Sequence, residues 1–149
     1  MRLAPLWILG AALAAGCEKP PAPEAHYIPM PGPAERPFSA AVRVGPMLYL
    51  SGQLGTDSTG KVVPGGIAAE TRQVLENIKR LLEGNGSSLD RVVKCTVMLA
   101  DIREWADMNQ VYVTYFPRHR PARSAFGTSG LALGGRVEIE CVATTATGS

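Results

Sequence analysis

Hydrophobic residues recur along most of the chain with the spacings of strands and helices. Short apolar runs at 41–44 and 47–50 flank Gly45-Pro46, which predicts two strands joined by a tight turn. Between residues 67 and 83 the apolar positions recur every three to four residues, the period of an amphipathic helix. Residues 91–99 are dense in valine and other apolar residues, which predicts a central strand.

A second helix is predicted to begin at Asp101, with Glu104 three residues later as its capping-box partner, and to end before Pro117. Its buried stripe is expected to hold apolar and aromatic core residues: Ile102, Trp105, Met108, Val111, Tyr112 and Tyr115. Two strands follow at 122–128 and 136–145, and residues 61–63 form a candidate short edge strand.

This order of elements predicts the α+β class, with a mixed sheet of five to six strands and two helices on one face. No sequence remains to cover the other face of the sheet. We therefore expect the chain to form oligomers through that face.

The N-terminal residues have the pattern of an export signal. Arg2 precedes a mostly apolar stretch that is too short to span a bilayer, which needs about 20 apolar residues. The stretch ends in Leu13-Ala14-Ala15-Gly16-Cys17, which resembles the bacterial lipobox, where cleavage precedes an acylated cysteine. We expect a signal peptide over 1–16, a lipid anchor on Cys17 and, because Glu18 follows, a periplasmic lipoprotein of the outer membrane.

A proline-rich segment separates this signal from the rest of the chain. Seven of the twelve prolines lie between residues 18 and 37. Such density favours an extended spacer, so residues 17–37 are predicted to be a tether, with His26 and Tyr27 as exposed linker residues. The folded domain is then expected over residues 38–149, a usual size for one domain.

Charge and cysteine content exclude several classes of function. The 149 residues include 15 basic and 13 acidic side chains, a net charge of +2, so we expect no nucleic-acid partner. The spacing of potential ligands predicts no metal, and the chain lacks a phosphate-binding loop. Cys95 and Cys141 lie in strand-like runs; they are either buried thiols or, if their strands are neighbours in register, a disulfide.

Two positions carry the candidate chemistry. Arg123 lies in an otherwise small and apolar run, and its five donors need either a bound carboxylate or a structural ion pair, for example with Glu138. Glu138 and Glu140 alternate in a predicted strand, so both project from one face of the sheet. Either that face of the sheet is exposed to solvent or one of the two carboxylates is functional.

These residues belong to a wider resemblance. Four segments, in order, are similar to the RidA/YjgF/UK114 family: Leu48-Tyr49-Leu50-Ser51-Gly52-Gln53, the helix that contains Asn109, Pro121-Ala122-Arg123-Ser124, and Val137-Glu138-Ile139-Glu140. The resemblance implies a chorismate-mutase-like fold, a homotrimer and active sites in clefts between subunits. It also implies hydrolysis of reactive 2-imino acids to 2-keto acids and ammonia, without a cofactor.

Residue by residue, the resemblance implies that Arg123 holds the substrate carboxylate and that Glu138 positions and helps to activate the attacking water. Ser51 and Asn109 would help to shape the substrate site.

The same resemblance places Phe38 and Ala125 among the substrate-binding positions, where family members often carry tyrosine and cysteine. The loop over 131–135 also lacks the family's usual proline, at Ala132. The alternative function is a non-catalytic module of the same fold that binds small carboxylates or a protein partner. RNA binding or cleavage, based on the cluster Arg118, Arg120 and Arg123, is a third hypothesis.

Overall fold

The structure is a computed structural model that describes residues 22–32 and 36–146. The predicted signal peptide over 1–16 and the predicted lipid-bearing Cys17 lie outside the described residues. Within the described ranges, no helix is long and apolar enough to cross a membrane.

The described residues form one sheet and two helices. The seven strands are β1 (Ala25–Ile28), β2 (Ala41–Val44), β3 (Met47–Leu50), β4 (Gln53–Leu54), β5 (Val92–Leu99), β6 (Ala122–Gly127) and β7 (Val137–Thr144). The sheet order is β1-β2-β3-β7-β5-β6, and β4 pairs with β7 beyond the end of β3. Only β5 and β6 run parallel to each other; the other described pairs are antiparallel. The α+β prediction is confirmed, with one strand more than the upper estimate.

The helices are α1 (Gly66–Glu83) and α2 (Trp105–Tyr112), with single 3-10 turns before and after α2. The predicted stripe of α1 is confirmed, since Val74, Leu75 and Ile78 are fully buried. Helix α1 packs against α2, β4 and β7, so both helices cover one face of the sheet. We name this the helix face and the opposite one the open face.

The interpretation of residues 25–28 as part of a spacer is wrong. These residues form the edge strand β1, in which Tyr27 pairs with Val42 of β2. The segment Ala25–Ile28 contains no proline, so each of its residues can donate and accept backbone hydrogen bonds. The segment therefore pairs with the edge of the sheet although prolines flank it. His26 and Tyr27 are exposed as predicted, but they are strand residues.

Two smaller predictions are also wrong. Asp101 caps its helical turn by accepting a hydrogen bond from the N–H of Arg103, but Glu104 completes no capping box. The carboxylate of Glu104 instead accepts from Arg136 at 2.5 Å. The candidate strand over 61–63 forms only an isolated bridge from Val62 to Thr56.

The register of the central strands settles the alternatives for the two cysteines. Cys95 of β5 lies directly opposite Cys141 of β7, and the two sulfurs are bonded. Both residues are buried on the helix face. The disulfide therefore joins the two central strands within the core.

The same register separates residues on the two faces. Arg123 of β6 is aligned with Cys95, which places it on the helix face. Glu138 of β7 is aligned with Met98, one position out of phase with the cysteines, which places it on the open face.

Apolar and aromatic side chains lie on the open face. One row across the sheet runs through Tyr27, Val42, Tyr49 and Val142. Tyr27 is 67% exposed and Tyr49 is 47% exposed. Such an apolar surface is typical of a contact between subunits.

Candidate active site

Arg123 lies on the helix-face side of the edge strand β6, against helix α2. Its guanidinium carbon is 4.5 Å from the ring centroid of Tyr112 and 5.5 Å from that of Trp105. The two rings hold the planar group by cation–π contacts and leave its N–H groups available. No described carboxylate forms a salt bridge with Arg123. The alternative of an internal ion pair with Glu138 is wrong, because the two residues lie on opposite faces of the sheet.

A groove of about 390 Å³ lies beside this arginine, and its lining includes Trp105, Asn109, Tyr112, Arg120 and Arg123. Residues 105, 109 and 112 recur every three to four positions, so helix α2 presents them on one face. Asn109 is half-buried and lines the same groove as Arg123. An unpaired guanidinium beside an amide, in a groove of this size, fits a small carboxylate.

Tyr112 is a fixed wall of this groove. Burial raises its pKa to about 12, and the charge of Arg123 opposes that rise only in part. Its ring also packs against Phe116, with the ring centroids 4.8 Å apart. The side chain therefore stays neutral at physiological pH and supports the guanidinium through its ring.

Glu138 lies on the open face, aligned with Leu54 of β4, and its carboxylate lies directly over the backbone of Gly52. A Cβ atom at Gly52 would stand only 1.9 Å from Oε1 of Glu138. Glycine is thus required at this position for the observed placement of the carboxylate. Burial raises the pKa of Glu138, and the neighbouring Glu140 raises it further. A raised pKa suits a carboxylate that accepts a proton from water.

Ser51 stabilises the segment next to Gly52. Its hydroxyl donates to the carbonyl of Ser39 at 2.7 Å, and Gln53 donates from its side chain to the carbonyl of Ser51 at 3.0 Å. The hydroxyl of Ser51 is therefore already engaged. Phe38 precedes Ser39 in the same segment and is 52% exposed.

The start of β7, two residues before Glu138, is fixed by a buried carboxylate. Glu70 of α1 accepts a hydrogen bond from the backbone N–H of Arg136 at 2.7 Å and is only 4% exposed. The side chain of Arg136 reaches Glu104 in turn. These contacts connect the start of β7 to α1 and to the 3-10 turn before α2, and they hold the strand that carries Glu138.

The six predicted site residues divide into two groups. Arg123, Asn109 and Ala125 lie on the helix face or the groove beside it, with Ala125 packed against the core. Glu138 lies on the open face, close to the segment that holds Ser51 and Phe38. We call the first group, with Trp105 and Tyr112, the arginine half-site, and the second, with Gly52, the glutamate half-site.

Sequence reasoning missed three residues of these half-sites. The helical spacing predicts Trp105 in the core, but its side chain is 39% exposed and packs against the Arg123 guanidinium. Tyr112 is buried as expected but also contacts the guanidinium. Gly52 belongs to the motif over 48–53, which predicts no separate role for it. The helical spacing of Trp105, Asn109 and Tyr112 was the available signal for a face directed at one ligand group.

The residues described also exclude one kind of centre. They contain no group of three or more histidine, cysteine, aspartate or glutamate side chains placed to hold a metal ion.

Comparison with known proteins places this geometry in a family. The family model described as Endoribonuclease L-PSP matches residues 30–145. The 2-iminobutanoate/2-iminopropanoate deaminase of Bos taurus is 48% identical over 108 residues, which span 72% of this chain and 79% of the bovine protein. The human protein of the same name is 44% identical over 72% of this chain and 79% of its own length.

Solved structures agree with this assignment. RidA from the Antarctic bacterium Psychrobacter sp. PAMC 21119 is similar with a TM-score of 0.71 and 42% identity, over 75% of this chain and 91% of that one. The yeast protein YEO7_yeast is similar with a TM-score of 0.77 and 40% identity, over 83% of this chain and 100% of that one. The chain belongs to the RidA/YjgF family.

Proposed function

We propose that this protein hydrolyses reactive 2-imino acids to 2-keto acids and ammonia. The proposal is based on the functional groups of the two half-sites, one of which can bind a carboxylate while the other can accept a proton. Arg123 is an unpaired, aromatic-flanked guanidinium, and Glu138 is a half-buried carboxylate with a raised pKa. Relatives that are 44–48% identical are named 2-iminobutanoate/2-iminopropanoate deaminase, which supports the same reaction here.

In the proposed mechanism, Arg123 binds the substrate carboxylate and so fixes the position of the adjacent C=N carbon. Glu138 accepts a proton from water while the water oxygen forms a bond to that carbon, and the C=N π electrons move to nitrogen. Glu138 then returns the proton to nitrogen, and the C–N bond breaks to release ammonia. The hydroxyl passes its proton through Glu138 to that ammonia as the keto group forms. The iminium form of the substrate and one water thus give a 2-keto acid and ammonium.

We infer that a second copy of the chain completes each site. Within one chain the two half-sites lie on opposite faces of the sheet, so one substrate cannot contact both Arg123 and Glu138 of that chain. The exposed Tyr49 and Phe126 on the open face are suited to burial against a neighbouring copy. A cyclic homotrimer brings the arginine half-site of each copy to the glutamate half-site of the next.

We also propose that the protein works outside the cytoplasm, anchored by a lipid on Cys17. The lipobox-like sequence carries this proposal, and the Cys95–Cys141 disulfide supports it. Structural disulfides persist in oxidising compartments and are rare in the cytosol.

The test is to generate 2-iminopropanoate from alanine with an amino-acid oxidase and to follow release of the keto acid with and without the purified protein. The wild type should accelerate release. Arg123→Ala should lower kcat/KM by about 30-fold or more, since it removes a bidentate charged contact. Glu138→Gln should lower kcat by about 100-fold or more, since it removes the proton acceptor.

The matched control is Arg43→Ala, which removes an exposed arginine from β2 and should leave the rate unchanged. No acceleration by the wild type would refute the proposal. Calorimetry with 2-ketobutyrate identifies the alternative function, because binding without turnover would indicate a non-catalytic module that binds small carboxylates.

RNA cleavage is less well supported, although the description of the family model names a ribonuclease. Arg118 of the arginine cluster is already paired with Asp90, and the net charge of the chain is only +2. The high net positive charge that supplies most of the affinity for RNA is therefore lacking.

A further inference from the structure

The groove of the arginine half-site contains a second guanidinium. Arg120, in the loop between α2 and β6, lines the groove together with Arg123. The nearby Arg118 is different, because it forms a salt bridge with Asp90. Among the described residues no carboxylate pairs with Arg120 or Arg123, and none of the residues that line the groove is acidic. Within one chain, two positive charges therefore face one small space without a compensating negative charge.

The two arginines differ in exposure and in packing. Arg123 is half-buried and its guanidinium packs over the rings of Trp105 and Tyr112, so it provides a fixed anchor. Arg120 is exposed on a loop at the edge of the groove, so its long side chain can follow ligands of slightly different length. A fixed first anchor and an adjustable second one suit a ligand that carries a carboxylate at each end.

We propose that the preferred substrates are 2-imino dicarboxylates, the imines of acidic amino acids with four or five carbons. This proposal rests on the proposed function and specifies its substrate class. Arg123 binds the carboxylate next to the imine carbon, and Arg120 binds the distal carboxylate at the mouth of the groove. A monocarboxylate neutralises only one of the two guanidinium groups, whereas a dicarboxylate neutralises both. The groove, at about 390 Å³, is large enough for a ligand of this size.

The test compares imines produced by oxidases from aspartate, glutamate, alanine and leucine. The wild type should show a kcat/KM for 2-iminosuccinate or 2-iminoglutarate about two- to fivefold above that for 2-iminopropanoate, the range expected for one exposed ion pair. Arg120→Ala should reduce that preference by the same factor, and Arg120→Lys should restore part of it. Arg118→Ala, which removes the neighbouring arginine that is paired with Asp90, should leave the preference unchanged.

Several results would overturn the inference. One is a higher kcat/KM for the leucine-derived imine, which would assign specificity to the ring of Trp105. Another is an equal loss of activity on all four imines in Arg120→Ala. Calorimetry with 2-ketoglutarate and 2-ketobutyrate measures binding without turnover. Arg120→Ala should weaken binding of the dicarboxylate about two- to fivefold more than that of the monocarboxylate. An unchanged ratio of the two affinities would contradict the role of Arg120 even if the protein hydrolyses no imine.

Discussion

Replacing Gly52 with alanine tests whether the placement of Glu138 determines the chemistry. The added Cβ would stand 1.9 Å from Oε1 of Glu138, whereas real Cβ atoms stay beyond 3.0 Å from such neighbours. The carboxylate must therefore retreat by at least about 1.1 Å, since packed atoms do not overlap. The backbone of Gly52 lies outside the left-handed region, so alanine itself fits the local conformation.

The expected effect falls on activity and not on folding. A displacement of about 1 Å at a reacting group costs about 100-fold in rate, so kcat/KM for 2-iminopropanoate should fall by about that factor. The side chain of Glu138 is half-buried and its end can rotate, so the overlap is relieved without moving the sheet. Alanine also lowers the conformational entropy of the unfolded chain, which can raise the free energy of unfolding by up to about 1 kcal/mol. The melting temperature should therefore stay level or rise slightly.

The assay pairs keto-acid release with thermal unfolding followed by circular dichroism. Introducing Gly52→Ala into the Glu138→Gln variant should produce little further loss, because both changes act on one group. Gly84→Ala, at the end of α1, is the matched control and should leave activity unchanged. Gly52→Ala with full activity, or an additive loss in the double variant, would refute the claim that position 52 is glycine because it makes room for the Glu138 carboxylate.

Two further predictions concern the disulfide and the pH dependence. Removing the disulfide with Cys95→Ala and Cys141→Ala should lower the free energy of unfolding by about 4 kcal/mol, the loop entropy expected for a sequence separation of 46. Urea titration measures this difference, and equal stability would show that the bond contributes nothing. Activity should fall with decreasing pH as Glu138 gains a proton. Because the charge of Glu140 raises the pKa of Glu138, Glu140→Gln should move this fall in activity to lower pH. A shift to higher pH, or the same shift in Glu83→Gln, would contradict that cause.

Elements with a strong local pattern could be predicted from the sequence. Helix α1 and the β2–β3 hairpin follow from apolar spacing and a Gly-Pro turn, which depend on neighbouring residues only. Strand β1 could not be predicted in this way. Its stability comes from pairing with β2, and the flanking prolines concealed its four-residue segment.

The candidate site shows the same division between local and non-local information. The sequence motifs point to Arg123 and Glu138 as candidate residues, but they do not show that the two lie on opposite faces of the sheet. That fact depends on the register of β5 against β6 and β7, where a shift of one residue would reverse it. The register also decides the bond between Cys95 and Cys141, which the sequence left as one of two alternatives.

The close contacts within the two half-sites could not be predicted from the sequence either. An aromatic residue at position 105 has the spacing of a core residue, and only the path of β6 beside α2 brings Arg123 under its ring. Gly52 contacts Glu138, which is far away in the sequence, and local patterns carry no information on such a contact.

The central claim is that one active site combines Arg123 of one copy with Glu138 of another. The most direct measurement is the activity of mixed assemblies, formed by co-expressing Arg123→Ala and Glu138→Gln chains that carry different tags. In a cyclic assembly with random mixing, about one quarter of the sites receive an intact arginine and an intact glutamate, so about one quarter of wild-type activity should return. Mixed assemblies that form, as the two tags verify, but stay as inactive as either variant alone would contradict the account.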